Sequence, residues 1–109
     1  MNDSGIYYGI TLLDETDLLE ANNRNKIELE YYGTKKYNIK NEAIYGISII
    51  KKEYIKNKIK FEKNTIERIS KNENIVKKII EIMKEHKVTP ICLEDVLRDL
   101  LKKPEFQEI

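Results

Sequence analysis

The sequence predicts an α+β domain: a three- to four-stranded antiparallel β-meander followed by two amphipathic helices packed on one face. Three observations carry that prediction. Apolar and polar residues alternate with a period of two over residues 26–32 and again over 58–62, the mark of strands with one wet face. The links between those runs are only a few residues long, which suits hairpins rather than crossovers. Near Ser70 the apolar period changes to that of a helix and holds to Leu101. A chain of 109 residues makes one domain with one modest core, spanning residues 1–109. Within it, residues 1–25 read as a loosely attached N-terminal strand and loop, and residues 104–109 as a frayed tail.

The elements follow in order. Residues 5–13 are rich in Ile, Tyr and Thr and read as an edge strand, and residues 14–25 are acidic and Asn-rich, a turn composition. Residues 26–32 alternate Ile27, Leu29 and Tyr31 with Glu28 and Glu30. Gly33 marks a bulge or turn there, after which Tyr37 and Ile39 resume the strand. Residues 38–42 form the next turn. In residues 43–54, Tyr45, Ile47 and Ile49 share one face while Ile44, Gly46, Ser48 and Ile50 share the other. Both faces are apolar, so this strand is central. Residues 56–58 sit at a hairpin tip, and the third strand follows with Ile59 and Phe61 inward and Lys58, Lys60 and Glu62 outward.

Ser70-Lys71-Asn72-Glu73 has the form of a capping box that opens the first helix. Its stripe is Ile75, Val76, Ile79, Ile80, Ile82 and Met83, and Lys84, His86 and Lys87 suit its negative end. Thr89 as N-cap and Pro90 at the first position open the second helix. Leu93, Val96, Leu97, Leu100 and Leu101 form the second stripe, and Pro104 stops it. Phe106 and Ile109 in the tail are able to pack.

Composition narrows the class of protein. Hydrophobic residues at 40% and charged residues at 36%, with a net charge of +1, describe a folded domain with a charged surface rather than a disordered chain. No apolar run approaches the roughly 20 residues that span a bilayer. The start of the chain lacks a basic segment followed by an apolar one, so no signal peptide is visible. The single cysteine, Cys92, excludes an intramolecular disulfide and a cysteine-based zinc cage. Cytoplasmic placement is the expectation. Residues 1–34 carry seven acids against Arg24 and Lys26, whereas residues 35–109 carry 18 basic and 12 acidic residues. Opposite halves of one small fold attracting weakly explains this, and a basic patch for an acidic partner is the sharper alternative.

Each candidate for chemistry has a plainer explanation. Cys92 lies near a helix N-terminus, which lowers a thiol pKa, but a cysteine beside a leucine stripe is usually a small buried hydrophobe. His86 has no defined relation to it and suits the end of the first helix. Asp95 and Asp99, one turn apart, could bind a hard cation weakly or act as paired carboxylates. A solvated helix face with a Glu94–Arg98 pair explains the same residues. Lys51, Lys52, Lys56, Lys58, Lys60 and Lys63 face only Glu53 and Glu62 across residues 51–63, with Tyr54 and Phe61 interleaved. Such a hairpin could follow phosphates and stack bases. Lysines also guard a sheet edge, and the sequence pI of about 7.7 is low for a nucleic-acid binder. The seven tyrosines, between Tyr7 and Tyr54, suit strand packing. Phosphate loops, nucleophile elbows and zinc-protease motifs do not occur, so no catalytic residue, metal ligand or cofactor is assigned.

Three pieces carry a family resemblance. They are Leu29-Glu30-Tyr31-Tyr32, then Tyr45-Gly46-Ile47-Ser48-Ile49, then Val88-Thr89-Pro90 running into Leu93-Glu94-Asp95-Val96 and Asp99. In order and spacing the chain resembles, over residues 26–102, a family of short uncharacterised proteins with a domain of unknown function, from low-GC Gram-positive anaerobic bacteria. Ile91-Cys92 departs from the more polar helix start of that family. The resemblance implies the small α+β fold and a cytoplasmic bacterial setting, and supplies no catalytic residue or cofactor. The expected function is a non-enzymatic protein-interaction or regulatory module. Its partner is another protein, met through Glu94, Asp95, Arg98 and Asp99 on the outer face of the second helix. Nucleic-acid binding through Lys51, Lys52, Lys56, Lys58 and Lys60 is the alternative. No membrane partner is expected, and a homodimer through an unpaired edge strand or leftover leucines is compatible with so small a fold.

Overall fold

The computed structural model describes residues 4–13, as backbone, and residues 26–107. The strands β1 (Ser4–Leu13), β2 (Lys26–Tyr37), β3 (Ala43–Ile55) and β4 (Lys58–Ser70) lie in chain order in one antiparallel sheet. Helix α1 (Glu73–Glu85), a 3₁₀ turn (Pro90–Cys92), helix α2 (Leu93–Leu101) and a last 3₁₀ turn (Pro104–Phe106) complete it. This is the α+β meander that the alternation and the short links predict, with four strands. The turn expected over residues 14–25 and the packing of Ile109 lie outside the described residues.

Local chemistry accounts for the boundaries. Asn38 folds the β2–β3 turn by accepting hydrogen bonds from the backbone N–H of Lys40 and of Glu42, each at 2.9 Å, on its Oδ1. Asn41 takes the left-handed conformation there, φ 62°, which asparagine tolerates. Ile39 sits in this turn with its side chain wholly exposed, so the strand does not resume at Ile39 as its hydrophobicity suggested. Gly33 makes no bulge either, because β2 pairs with β3 without interruption from Lys26↔Tyr54 to Tyr37↔Ala43.

The irregular glycine is Gly46. Tyr45 pairs with Ser70 and Ile47 with Ile66, so Gly46 alone faces the three residues 67–69 of β4. A Cβ added to Gly46 would lie 2.6 Å from the Glu67 Cα. Only a residue without a side chain lets the two backbones approach so closely.

One core joins sheet and helices. Ile27, Leu29 and Tyr31 of β2 and Ile47 and Ile49 of β3 pack with Val76, Ile79, Ile80 and Met83 of α1 and with Leu93, Leu97 and Leu100 of α2. Full burial of each such side chain stabilises the fold by about 1.5–3 kcal/mol. The tyrosine is included because its polar end is satisfied: its hydroxyl donates to the backbone carbonyl of Val88 at 2.9 Å. That bond ties the middle of β2 to the link between the helices.

Four local expectations need correction. Ser70 is the last residue of β4 and not a helix cap; its Oγ accepts from the backbone N–H of Asn72 at 2.8 Å. Asn72 is the N-cap of α1, its Oδ1 accepting from the Asn74 N–H at 3.0 Å. Thr89 makes no side-chain cap bond, and Pro90 opens a 3₁₀ turn, so α2 begins only at Leu93. The tail is not frayed up to residue 107: Phe106, which its sequence left able to pack, is folded back and buried, 3% exposed.

The fourth correction matters most for function. Ile59 and Phe61 do not point into the core. The two-residue link between β3 and β4 pairs Ile55 with Lys58, hence Tyr54 with Ile59 and Lys52 with Phe61. Partners across an antiparallel pair share a face. Ile59 and Phe61 therefore join the even-numbered residues of β3 on the open face, while Lys58, Lys60 and Glu62 lie on the helix side. The exposures agree: 48% for Ile59 and 61% for Phe61.

Candidate interaction surface

The β3–β4 hairpin ends in an uncovered tip. None of residues 51–63 is buried, and β4 is the last strand of the sheet. Lys56 takes a left-handed conformation, φ 51°, which lets the chain reverse over two residues. On the open face of this tip lie Tyr54, Ile59, Phe61 and Lys63, and the Lys52 ammonium stands 6.0 Å from the Phe61 ring centroid. Among the described residues Ile39, in the β2–β3 turn, and Ile91, in the Pro90–Cys92 turn, are the other strongly exposed aliphatics. Each belongs to a different part of the fold.

Beside the aromatic patch the open face carries an ordered polar network. The Lys52 Nζ lies 2.8 Å from Glu30 Oε2 and 3.9 Å from Glu28 Oε1. Tyr32 donates its hydroxyl to Glu30 Oε1 at 2.7 Å, and Tyr54 donates to Glu28 Oε1 at 3.0 Å. Burial opposes ionisation of Glu30, but the hydrogen bonds from Lys52 and Tyr32 outweigh it and hold the carboxyl below its usual range. The hydrogen bond to Glu30 raises the Lys52 ammonium in turn, and that to Glu28 raises the Tyr54 phenol. Glu30 is thus a saturated carboxylate in a structural network, and it is not poised to take up a proton near neutral pH. The sequence showed Glu28 and Glu30 as a wet strand face. It could not show that Lys52 answers them, because that pairing depends on register across 22 residues.

This network also divides the basic hairpin. Lys52 is committed to Glu30 and Glu28, and Lys51 approaches Glu62 at 3.8 Å. Lys56, Lys58, Lys60 and Lys63 form no ion pair among the described residues. Register places Lys58 and Lys60 on the helix side, Lys63 on the open face and Lys56 in the turn. Six lysines clustered within 51–63 in sequence are therefore not contiguous as a surface.

The second helix presents its carboxylates to solvent. Arg98 pairs with Asp95 at 3.2 Å and not with Glu94, and their side chains are 65% and 80% exposed. Such a pair contributes little to stability. Cys92 is exposed rather than a buried hydrophobe, and His86 caps the end of α1. The fold does bring these two together: both line a cleft of about 480 Å³ floored by Ile82, Val88, Val96 and Leu100. Among the described residues no group of three or more His, Cys, Asp or Glu is placed to hold a metal ion. No helix among them is long and apolar enough to cross a membrane.

Fold and surface together define a small α+β protein, a four-stranded meander closed on one face by two helices, with an aromatic hairpin tip left open. Residues 7–103 match the Family of unknown function (DUF6514), and the chain belongs to that family. The match reaches into β1, beyond the stretch from residue 26 onward that carries the resemblance in sequence. No curated protein and no solved structure matches the chain.

Proposed function

We propose that the protein is a non-enzymatic protein-interaction or regulatory module of the bacterial cytoplasm that docks through the open face and outer edge of its β3–β4 hairpin tip. The observation that carries this is Phe61, an aromatic side chain 61% exposed on a regular strand, next to the half-exposed Ile59. Apolar anchors of this kind supply most of the energy of protein interfaces, and an unpaired strand edge beside them adds backbone hydrogen bonds. Glu94, Asp95, Arg98 and Asp99 have no aromatic anchor beside them, only the exposed Ile91 in the preceding turn, which moves the favoured surface from α2 to the hairpin. Division of the lysines between two faces supports protein over nucleic acid as the partner, since phosphates are followed by a continuous basic track.

Affinity capture with the wild-type chain, the Phe61→Ser/Ile59→Ser double variant and a charge reversal of the four α2 residues tests the choice. Loss of bound protein in the hairpin variant alone is expected. Recovery equal to wild type from that variant overturns the choice of surface. A gel shift that steepens with falling salt and vanishes on replacing Lys56, Lys58 and Lys60 would favour nucleic acid instead.

A further inference from the structure

We propose that a second copy of this chain is a partner of the β4 edge, the two β4 strands pairing antiparallel about a two-fold axis through Phe61. This rests on the reading of the hairpin tip as a docking surface and names what docks there. β4 has no strand beyond it among the described residues, so one edge of its backbone is available for pairing.

Symmetry and charge together choose the register. A two-fold axis normal to the sheet keeps each residue on its own face, so paired positions must have the same parity and the axis must pass through a residue. An axis at Ile59 sets Lys58 against Lys60 of the second copy, twice. Axes at Lys60, Glu62 and Lys63 set each of those charges against its own copy. An axis at Asn64 or Thr65 carries the pairing into residues 67–69, where β4 departs from regular register with β3. An axis at Phe61 has none of these faults. It places Lys60 against Glu62 of the second copy and Glu62 against Lys60, two opposite-charge pairs. It also sets Phe61 beside Phe61, Ile59 beside Lys63 and Lys58 beside Asn64. Residues 58–63 lie in the regular, uncovered part of β4, and Asn64, still in regular register, is part-buried with its side chain donating to the Pro90 carbonyl at 3.0 Å. The lysines that guard the edge against indiscriminate pairing thus permit one self-complementary register. In that register the exposed aromatic ring, unexplained by the core, stacks against its own copy.

Reciprocal charges give a test that self-pairing alone satisfies. Lys60→Glu sets a carboxylate against the copy's carboxylate at both charged pairs, and Glu62→Lys sets an ammonium against an ammonium at both. Mixed together, these two variants restore both opposite-charge pairs. Sedimentation of the wild-type chain up to about 1 mM should show a dimer weaker than typical stable complexes. Each variant alone should dimerise at least about tenfold more weakly, and the equimolar mixture should regain wild-type association. Lys58→Glu, which faces Asn64 of the copy, should change association little, and circular-dichroism melts report whether each variant stays folded. A monomeric wild type at the highest concentration overturns the pairing. So does undiminished association of Lys60→Glu, equal weakening by Lys58→Glu, or a mixture of folded variants that fails to recover. If the wild type is monomeric yet Phe61→Ser still releases a captured protein, self-pairing fails while the docking surface stands.

Discussion

Replacing Tyr31 by Phe removes one oxygen from the centre of the molecule, and the structure sets how much that should cost. Tyr31 is fully buried, and its hydroxyl donates at 2.9 Å to the carbonyl of Val88, itself only 7% exposed. The ring stays, so the apolar packing is retained. What is lost is one buried hydrogen bond, and what remains is a carbonyl with no replacement donor in an apolar setting. The first effect is about 1 kcal/mol and the second adds to it, for a total of about 1–2 kcal/mol. For a domain of this size that corresponds to a fall in Tm of about 5–15 °C. Urea unfolding followed by circular dichroism at pH 7 measures the difference.

A pH series makes the same experiment sharper. Burial pushes the Tyr31 phenol well above its ordinary value, so the folded state disfavours the phenolate that the unfolded chain forms near pH 10. A raised folded pKa gives stability that is fully present below the unfolded value and lost as pH rises through the folded one. Wild type should therefore lose stability above about pH 10 by a route closed to Tyr31→Phe, and the gap between them should narrow. A loss below about 0.5 kcal/mol at pH 7, or a gap that widens in alkali, would refute the assignment of that bond as the clamp between β2 and the inter-helix link.

Three further substitutions probe other parts of the fold. Gly46→Ala forces a Cβ to within 2.6 Å of the Glu67 Cα and should destabilise by about 2–3 kcal/mol in chemical denaturation; a change near zero would mean that β4 does not cross so closely. Asn72→Ala removes the bond to the Asn74 N–H and should cost about 1 kcal/mol in the same measurement; a change near zero would remove Asn72 from the role of N-cap. Glu30→Gln should flatten the acid limb of a stability-pH profile. Because the Glu30 carboxyl is held below its usual range, its stabilisation is present above the unfolded value of about 4.3 and lost as pH falls through the folded one. A variant with an acid limb as steep as wild type would remove Glu30 from that role.

The parts of the fold legible in sequence were those fixed by near neighbours. Val76, Ile79, Ile80 and Met83 repeat at helical spacing, and all four are buried. Ile27, Leu29 and Tyr31 alternate, and all three face the helices. The errors arose where several local signals competed. Ser70 and Asn72 are both good cap residues two positions apart, and the end of β4 claimed the first. Pro90 fits the first turn of either a 3₁₀ or an α-helix, so it marked the turn without marking the start of α2.

The hairpin tip shows a different kind of limit. Its basic and aromatic composition is plain in sequence, but the strand alternation points Ile59 and Phe61 inward whereas the structure leaves them on the open face. Extending the inward parity of Tyr45, Ile47 and Ile49 across the turn carries odd-numbered residues inward. The two-residue link reverses that parity, and a single-residue change of register moves every side chain of a strand to the other face.

Hydrophobic period and turn chemistry act over a few residues, and they suffice for the α+β class, the meander followed by two helices, and nearly all of the apolar core. Tertiary structure decided what remains for function. It spent Lys51 and Lys52 on acids from other strands, joined His86 to Cys92 around one cleft, and left Phe61 on an open face at the sheet edge. Each of those outcomes depends on which residues lie opposite one another across the sheet or between the helices. That is a long-range relation set by register and packing, and no local pattern encodes it.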